Sequence, residues 1–139
     1  MAALTQGRRT ARRGGEIVSH PLAAGAVVYA GGMVCLTAAG YLTPGAADPT
    51  LRFVGVAGDT VNNAGASAGA ARCDVERRGA WHFANHATDT VGRQHIGQRA
   101  YIADDQTLAA TAGLVEGAAT RPAAGTIIDV DANGVWIEL

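Results

Sequence analysis

The last nineteen residues, 121–139, constrain the fold more than any other part of the sequence. Two apolar runs rich in β-branched residues, 126–131 and 135–139, lie on either side of Ala132-Asn133-Gly134. Asn-Gly accepts positive φ at low cost in a tight turn, so the pattern predicts a β-hairpin. Alternation along both runs predicts one buried and one wetted face. The apolar set is Ile128, Val130, Val135, Ile137 and Leu139, and the set that alternates with it is Asp129, Asp131, Trp136 and Glu138.

Short strand-like runs continue through the rest of the chain. They cover residues 16–19, 26–30, 33–37, 52–57, 71–77, 80–84 and 100–103. Runs separated by glycine turns predict three more hairpins. They pair 26–30 with 33–37, 33–37 with 41–43 through Ala38-Ala39-Gly40, and 71–77 with 80–84. Gly55 marks a bulge or a close backbone approach. Residues 62–70 read as a mobile loop, and residues 107–115 fit either a strand pair or a short helix. About eight to ten short strands at regular spacing predict an all-β sandwich or barrel.

Length and composition bound the organisation of the chain. At 139 residues there is room for one domain, which we place at residues 16–139 after an extended arm at residues 1–15. Aromatic residues make up only 5% of the chain, so we expect a thin core and part of the stability to come from association with other copies. No secretory signal or membrane-spanning run is visible, which predicts a protein made and kept in the cytoplasm or in a particle assembled there.

The arm and the body carry opposite charge. Arg8, Arg9, Arg12 and Arg13 give the first fifteen residues a charge of +4, whereas seven arginines against twelve acids leave −5 on the remainder. Such an arm can dock on an acidic protein surface, where arginine forks pair with carboxylates. It can also neutralise nucleic-acid phosphates, or remain a solvated tail. The arm contains no aromatic residue for base stacking and the body is acidic, which favours protein over nucleic acid.

No catalytic constellation is visible in the sequence. Lysine is absent, which excludes a Schiff-base mechanism. The G-x-S-x-G pattern at residues 65–69 lacks the strand and helix that present a nucleophilic serine. Asp129-x-Asp131-x-Asn133-Gly134 matches half of a calcium loop, but the closing glutamate would fall beyond Leu139, and a hairpin turn explains the same residues. We therefore expect no enzyme activity and no cofactor.

Two further groups of residues invite a metal or redox interpretation. His82, His86, His95 and Asp89 have zinc-ligand chemistry, but His82 lies in a β run and need not converge with the others, so we expect no metal site. A histidine facing solvent or an interface is the better interpretation of His82. Cys35 and Cys73 lie in strand-like runs and are interpreted as buried, reduced side chains.

The order of these pieces resembles a known family. The relevant stretches are Gly25-Ala26-Val27-Val28, Gly31-Gly32-Met33-Val34, Gly40-Tyr41-Leu42-Thr43, Phe53-Val54-Gly55-Val56-Ala57, Glu76-Arg77-Arg78-Gly79-Ala80-Trp81, Gly97 to Ile102 before Asp104-Asp105, and Arg121-Pro122-Ala123-Ala124-Gly125-Thr126-Ile127-Ile128. Together, from about His20 to Leu139, they resemble the head decoration, or capsid cement, proteins of tailed bacteriophages.

The resemblance implies a structural virion protein made in the host bacterial cytoplasm. Such a protein binds the outside of the expanded head, often as a homotrimer, and its N-terminal arm reaches over neighbouring major capsid protein subunits. On this hypothesis the four arm arginines dock on the capsid, and Trp81, His82 and Trp136 are interface candidates, with ordinary core packing the alternative for both tryptophans. A nucleic-acid-binding β-barrel with a basic arm, or another tail- or fibre-associated phage module, is the competing interpretation.

Overall fold

The computed structural model describes residues 2–139, and its regular structure begins at Ile17. Twelve strands follow, two of them only two residues long, and one turn of 3-10 helix covers Arg93–His95. The strands are β1 Ile17–Pro21, β2 Val27–Val28, β3 Met33–Leu36, β4 Leu42–Pro44, β5 Arg52–Ala57, β6 Val61–Asn62, β7 Arg72–Glu76, β8 Ala80–Asn85, β9 Arg99–Asp104, β10 Thr107–Ala109, β11 Ala123–Asp131 and β12 Gly134–Glu138. The all-β prediction is confirmed.

The strands form a sheet and a barrel. Strands β1-β7-β5-β3-β4 make an antiparallel five-stranded sheet, and β10-β8-β12-β11-β9 close into a small barrel. All barrel pairs are antiparallel except β10 with β8, while β2 and β6 form a separate two-stranded ribbon. Closing the barrel removes two sheet edges, but β1 and β4 remain edge strands of the sheet. Pro21 suits the edge position of β1 because it has no backbone N–H to donate.

The C-terminal hairpin forms as predicted, with one correction to its buried face. Strands β11 and β12 pair antiparallel around the two-residue turn Ala132-Asn133. A register shift between Ile127 and Asp129 places Ile127 fully in the core and leaves Ile128 39% exposed, so the assignment of Ile128 to the buried face was wrong. One extra residue in a strand reverses the alternation beyond it, and the apolar pair Ile127-Ile128 does not reveal which member faces inward.

The glycine of this turn has a different role from the one predicted. Asn133 does not adopt positive φ, whereas Gly134 has φ +157° and begins strand β12. A Cβ on Gly134 would collide with the backbone oxygen of Phe83 on β8. Glycine is therefore required here because two barrel strands approach closely, and the turn itself needs no Asn-Gly pair.

Two other predicted hairpins are wrong. Strand β7 pairs with β1 and β5, whereas β8 pairs with β12 and β10, so the turn at Arg78-Gly79 carries the chain from the sheet into the barrel. Strand β2 pairs with β6 rather than with β3. In each case the glycine correctly indicates a turn, but the partner of a strand is set by long-range packing that local sequence does not encode.

Two apolar clusters hold the molecule together. The larger fills the barrel and extends to the sheet through Met33, Cys35 and Val56. The smaller lies between the sheet and the β2–β6 ribbon and contains Leu22, Val28, Val34, Leu42, Ala57, Cys73 and Val75. Gly55, with φ +147°, lies where β5 passes against the backbone of Glu76, which confirms the predicted close approach. Both cysteines are buried and unpaired by disulfide, as predicted.

The segment at residues 62–70 is better anchored than a mobile loop. Asn62 belongs to β6, and Asn63 is only 2% exposed. The Asn63 side-chain amide donates to the carbonyl oxygens of Ala23 (2.9 Å) and Ser67 (3.1 Å), which fastens the loop to the connection between β1 and β2. Farther along, residues 107–115 contain only the short strand β10, followed by irregular chain. Within the described residues, no helix is long and apolar enough to cross a membrane.

Candidate docking site

The basic arm extends from the sheet without regular structure. Residues 2–14 are all exposed, and none of them belongs to a strand or helix. Within residues 2–139, no hydrogen bond or ion pair involves the guanidinium group of Arg8, Arg9, Arg12 or Arg13. The sequence placed Met1 in this arm as well, but Met1 lies outside the described residues. Each of the four side chains thus keeps its donors for a binding partner.

The arm joins the sheet beside two further arginines. Arg77 donates from Nη1 to the carbonyl oxygen of Gly15 (2.9 Å), and its backbone N–H donates to the carbonyl oxygen of Glu16 (2.9 Å). A Cβ on Gly15 would lie 3.3 Å from Nη2 of Arg78. The base of the arm is therefore fixed in place, and the basic surface continues from the arm onto the turn that follows β7. We refer to the arm with Arg77 and Arg78 as the basic arm surface.

Sequence reasoning missed Arg77 and Arg78 as part of this surface. The two adjacent arginines are visible in the sequence, but they come close to the arm only because β1 pairs with β7 across 51 to 59 positions of sequence. The predicted hairpin between β7 and β8 directed attention to the wrong neighbour. A correct pairing of β1 would have been the signal that finds them.

A second surface lies on the outer face of the barrel, where β8, β11 and β12 meet. Trp136 and His82 are directly paired across β12 and β8, and their ring centroids are 4.9 Å apart at an interplanar angle of 52°. The indole Nε1–H of Trp136 donates to Oδ2 of Asp131 (3.2 Å), and Nε2 of His82 lies 3.3 Å from Oδ1 of the same carboxylate. Trp136 is half-buried and His82 is exposed, so this pair presents aromatic surface to solvent.

Asp131 organises this outer surface. Its Oδ1 accepts from the backbone N–H groups of Asn133 (2.8 Å) and Gly134 (3.0 Å), which closes the hairpin turn. The hydrogen bond from Asn133, together with those from His82 and Trp136, outweighs partial desolvation and holds the pKa of Asp131 below its usual range. These partners account for Asp131 as a turn-capping carboxylate, and they fix the orientation of Trp136 before any partner binds.

Trp81 has a different environment. It lies on the face of β8 opposite His82 and packs against the barrel cluster, and its Nε1–H donates to the carbonyl oxygen of Arg78 (3.0 Å). The ring is half-buried rather than enclosed. Trp81 therefore links the barrel core to the turn that follows the arginine pair, and Trp136 is the tryptophan that points outward.

The remaining candidate residues for chemistry have structural partners. Asp89 accepts from Arg121 and Thr111, whereas Nδ1 of His86 accepts from the backbone of Asp89 and Nδ1 of His95 accepts from Gly92. No group of three or more His, Cys, Asp or Glu side chains converges within residues 2–139 in a way that could hold a metal ion. The G-x-S-x-G stretch is a turn between Asn63 and Ala70, with neither strand nor helix at the serine.

No protein-family description, characterised protein or solved structure matches this chain. Function is therefore proposed from the geometry of the basic arm surface and the outer face of the barrel.

Proposed function

We propose that this protein is a structural component of a tailed-phage particle, a decoration protein that binds the outer surface of the expanded head. It stabilises the head by bridging neighbouring major capsid protein subunits, as a homo-oligomer with a trimer favoured. Its role is mechanical, without catalysis or a cofactor. The observation that carries the proposal is the basic arm, an irregular segment that Arg77 anchors at Gly15 and that carries four arginines without a partner among residues 2–139.

The arm supplies attraction to acidic protein surface. Guanidinium groups pair with carboxylates through two parallel hydrogen bonds, and an extended segment can follow a neighbouring subunit beyond the footprint of the barrel. The body of the chain carries −5, so the arm has less tendency to spread over a nucleic acid than over another protein. Ordering the arm on binding loses conformational entropy, and this loss lowers the affinity of any single contact.

The barrel supplies the second contact. Trp136 and His82 form an oriented aromatic surface, and a preorganised tryptophan is a common energetic centre of protein interfaces. A contact on the order of 800 Å² per partner is modest by itself. When several copies in one oligomer engage several capsid subunits, effective concentration multiplies these weak contacts. Separating any one subunit from the lattice then requires several contacts to break together.

The experiment is co-sedimentation with expanded and unexpanded heads of the phage that encodes the protein. The full chain is compared with a chain starting at Glu16 and with a variant in which all four arm arginines are replaced by lysine. We expect saturable binding to expanded heads, clear weakening without the arm, and partial weakening in the lysine variant, which keeps the charge but loses the paired hydrogen bonds. Absence of binding to either head form at micromolar concentration would contradict the proposal.

A nucleic-acid-binding barrel is the second candidate, and the arginine pair at the base of the arm is the observation that favours it. Arg77 and Arg78, at the base of the arm, bring the basic arm surface to six arginines. On this alternative, DNA affinity falls steeply with salt, the lysine variant binds as well as the native chain, and the chain starting at Glu16 has a shallower salt dependence. If no DNA binds at low salt, the alternative fails.

A further inference from the structure

A short protruding turn displays two neighbouring apolar side chains to solvent. We call residues 114–118 the finger. Leu114 is 67% exposed and Val115 is 61% exposed, which makes them the most exposed large apolar side chains of the described chain outside the arm. Two adjacent side chains of this kind at a loop tip gain favourable free energy whenever another surface covers them.

The backbone of the finger is held in one conformation. Val115 and Ala118 exchange two backbone hydrogen bonds of 2.9 Å and 3.0 Å around the central residues Glu116 and Gly117. Both central residues have positive φ, +51° for Glu116 and +80° for Gly117, as in a type I′ turn. Glu116 is the only non-glycine residue with positive φ in the described chain. The two turn hydrogen bonds hold Glu116 in this rarely populated conformation, which fixes it at the tip beside Leu114 and Val115.

Polar contacts fasten the base of the finger to the barrel. Nη1 of Arg121 donates to Oδ2 of Asp89 (2.6 Å), and the Thr111 hydroxyl donates to the same oxygen (2.6 Å). The Thr120 hydroxyl donates to the carbonyl oxygen of Gly113 (2.6 Å), which ties the two ends of the finger together. The finger is therefore presented in a fixed orientation, which lowers the entropy lost on docking.

An open groove on the same molecule has the complementary character. It has a volume of about 780 Å³, lies between β1 and β5 of the sheet and the barrel strands β9, β11 and β12, and contains no finger residue. Leu51, Phe53 and Leu139 provide apolar surface, and Arg52, Arg77 and Arg99 line it with positive charge against the single glutamate Glu138. The groove can therefore receive an apolar segment that carries an acid.

We propose that the finger of one copy docks into the groove of a second copy. Leu114 and Val115 cover the apolar surface of the groove, and Glu116 pairs with its arginines, with Arg99 as the principal partner because no hydrogen bond or ion pair of residues 2–139 engages its guanidinium. Finger and groove are different surfaces, so the contact is head-to-tail and repeats around a ring when the rotation closes. This gives the self-association within the proposed function a specific contact, and it is testable without phage heads.

The test is sedimentation equilibrium of the purified full chain at several micromolar concentrations. One variant disables the finger, Leu114→Ser with Val115→Ser, and a second disables the groove, Arg99→Glu. The control is Tyr29→Ser, which removes a side chain of similar exposure, 59%, outside both surfaces. Circular dichroism and thermal melting verify that each variant is folded. The two disabled variants are then mixed in equal amounts.

The native chain and the Tyr29 control are expected to form oligomers, and each disabled variant alone is expected to be monomeric. The mixture is expected to recover a dimer, because the intact finger of one variant meets the intact groove of the other. A charge exchange, Glu116→Arg with Arg99→Glu, is expected to restore the oligomer. A monomeric native chain, an oligomer that survives loss of the finger, or a mixture without dimers would overturn the proposal. A finger variant that stays oligomeric but no longer binds heads would assign the finger to the capsid instead.

Discussion

Replacing Asp89 by asparagine should destabilise the fold by breaking the contact that fastens the finger to the barrel. The Asp89 carboxylate accepts hydrogen bonds from Nη1 of Arg121 (2.6 Å), the Thr111 hydroxyl (2.6 Å) and the Thr111 backbone N–H (3.2 Å). The Arg121 side chain is only 15% exposed, so it has little water to replace a lost partner. A hydrogen bond to a charged group contributes about 1.5–3 kcal/mol, and asparagine keeps one carbonyl oxygen as acceptor. We expect the Asp89→Asn variant to have a free energy of unfolding about 2–3 kcal/mol lower than that of the native chain at neutral pH.

The same contact predicts how the effect changes with pH. Desolvation acts to raise the pKa of Asp89, but the hydrogen bonds from Thr111 and Arg121 outweigh it, so the pKa in the folded chain lies below the usual value. A carboxyl whose pKa is lowered by folding stabilises the fold fully above its unfolded pKa of about 3.9. This stabilisation is lost as the pH falls through the folded pKa. The gap between the native chain and the Asp89→Asn variant should therefore close in acid.

The assay is urea unfolding followed by tryptophan fluorescence, at one protein concentration and at a series of pH values from neutral to acid. Arg121→Met and the double variant complete a cycle that isolates the coupling between the two side chains. We expect a coupling of about 1–3 kcal/mol at neutral pH that fades in acid. Equal stability of native chain and Asp89→Asn at neutral pH, or a gap that persists unchanged in acid, would refute the reasoning.

Three further predictions concern the core. Gly134→Ala should lower the free energy of unfolding by about 3 kcal/mol or more, because the new Cβ meets the backbone of Phe83. Gly97→Ala should lower it by only about 1–2 kcal/mol, because Gly97 has φ +93° but open space around it. Urea unfolding of both variants tests this. Asn63→Ala removes two side-chain hydrogen bonds, although the carbonyl oxygens of Ala23 and Ser67 each keep a backbone donor. It should lower the free energy of unfolding by about 1–3 kcal/mol and speed proteolysis of the adjoining loop; unchanged cleavage would contradict this. Burial raises the pKa of the Cys35 thiol to about 12, so a thiol reagent should modify it only at the rate at which the chain unfolds. Immediate labelling in buffer without denaturant would contradict the burial of Cys35.

The sequence predicts strands well and strand partners poorly. The C-terminal hairpin and the β3–β4 hairpin are recoverable because their partners are adjacent in sequence and joined by short turns. The pairings of β7 with β1 and of β8 with β12 are not recoverable, because they join residues more than fifty positions apart in sequence. An alternating strand carries one apolar face whichever strand lies beside it, so its pattern is compatible with many partners.

The candidate site is predictable to a similar extent. The four arm arginines and the outward orientation of His82 follow from charge and alternation, and both are visible in the sequence. The basic continuation at Arg77 and Arg78 depends on the pairing of β1 with β7. The finger was hidden for another reason: Glu116 takes a backbone conformation that glutamate rarely adopts, so no propensity argument predicts the turn.

The most direct test of the proposed function is an electron cryomicroscopy reconstruction of expanded heads saturated with the purified protein. The proposal predicts small β-barrels at symmetric positions on the outer surface, with density for the arm continuing from Gly15 over a neighbouring capsid subunit. Heads without added density at saturating protein concentration, or density confined to the DNA-facing side of the shell, would contradict it.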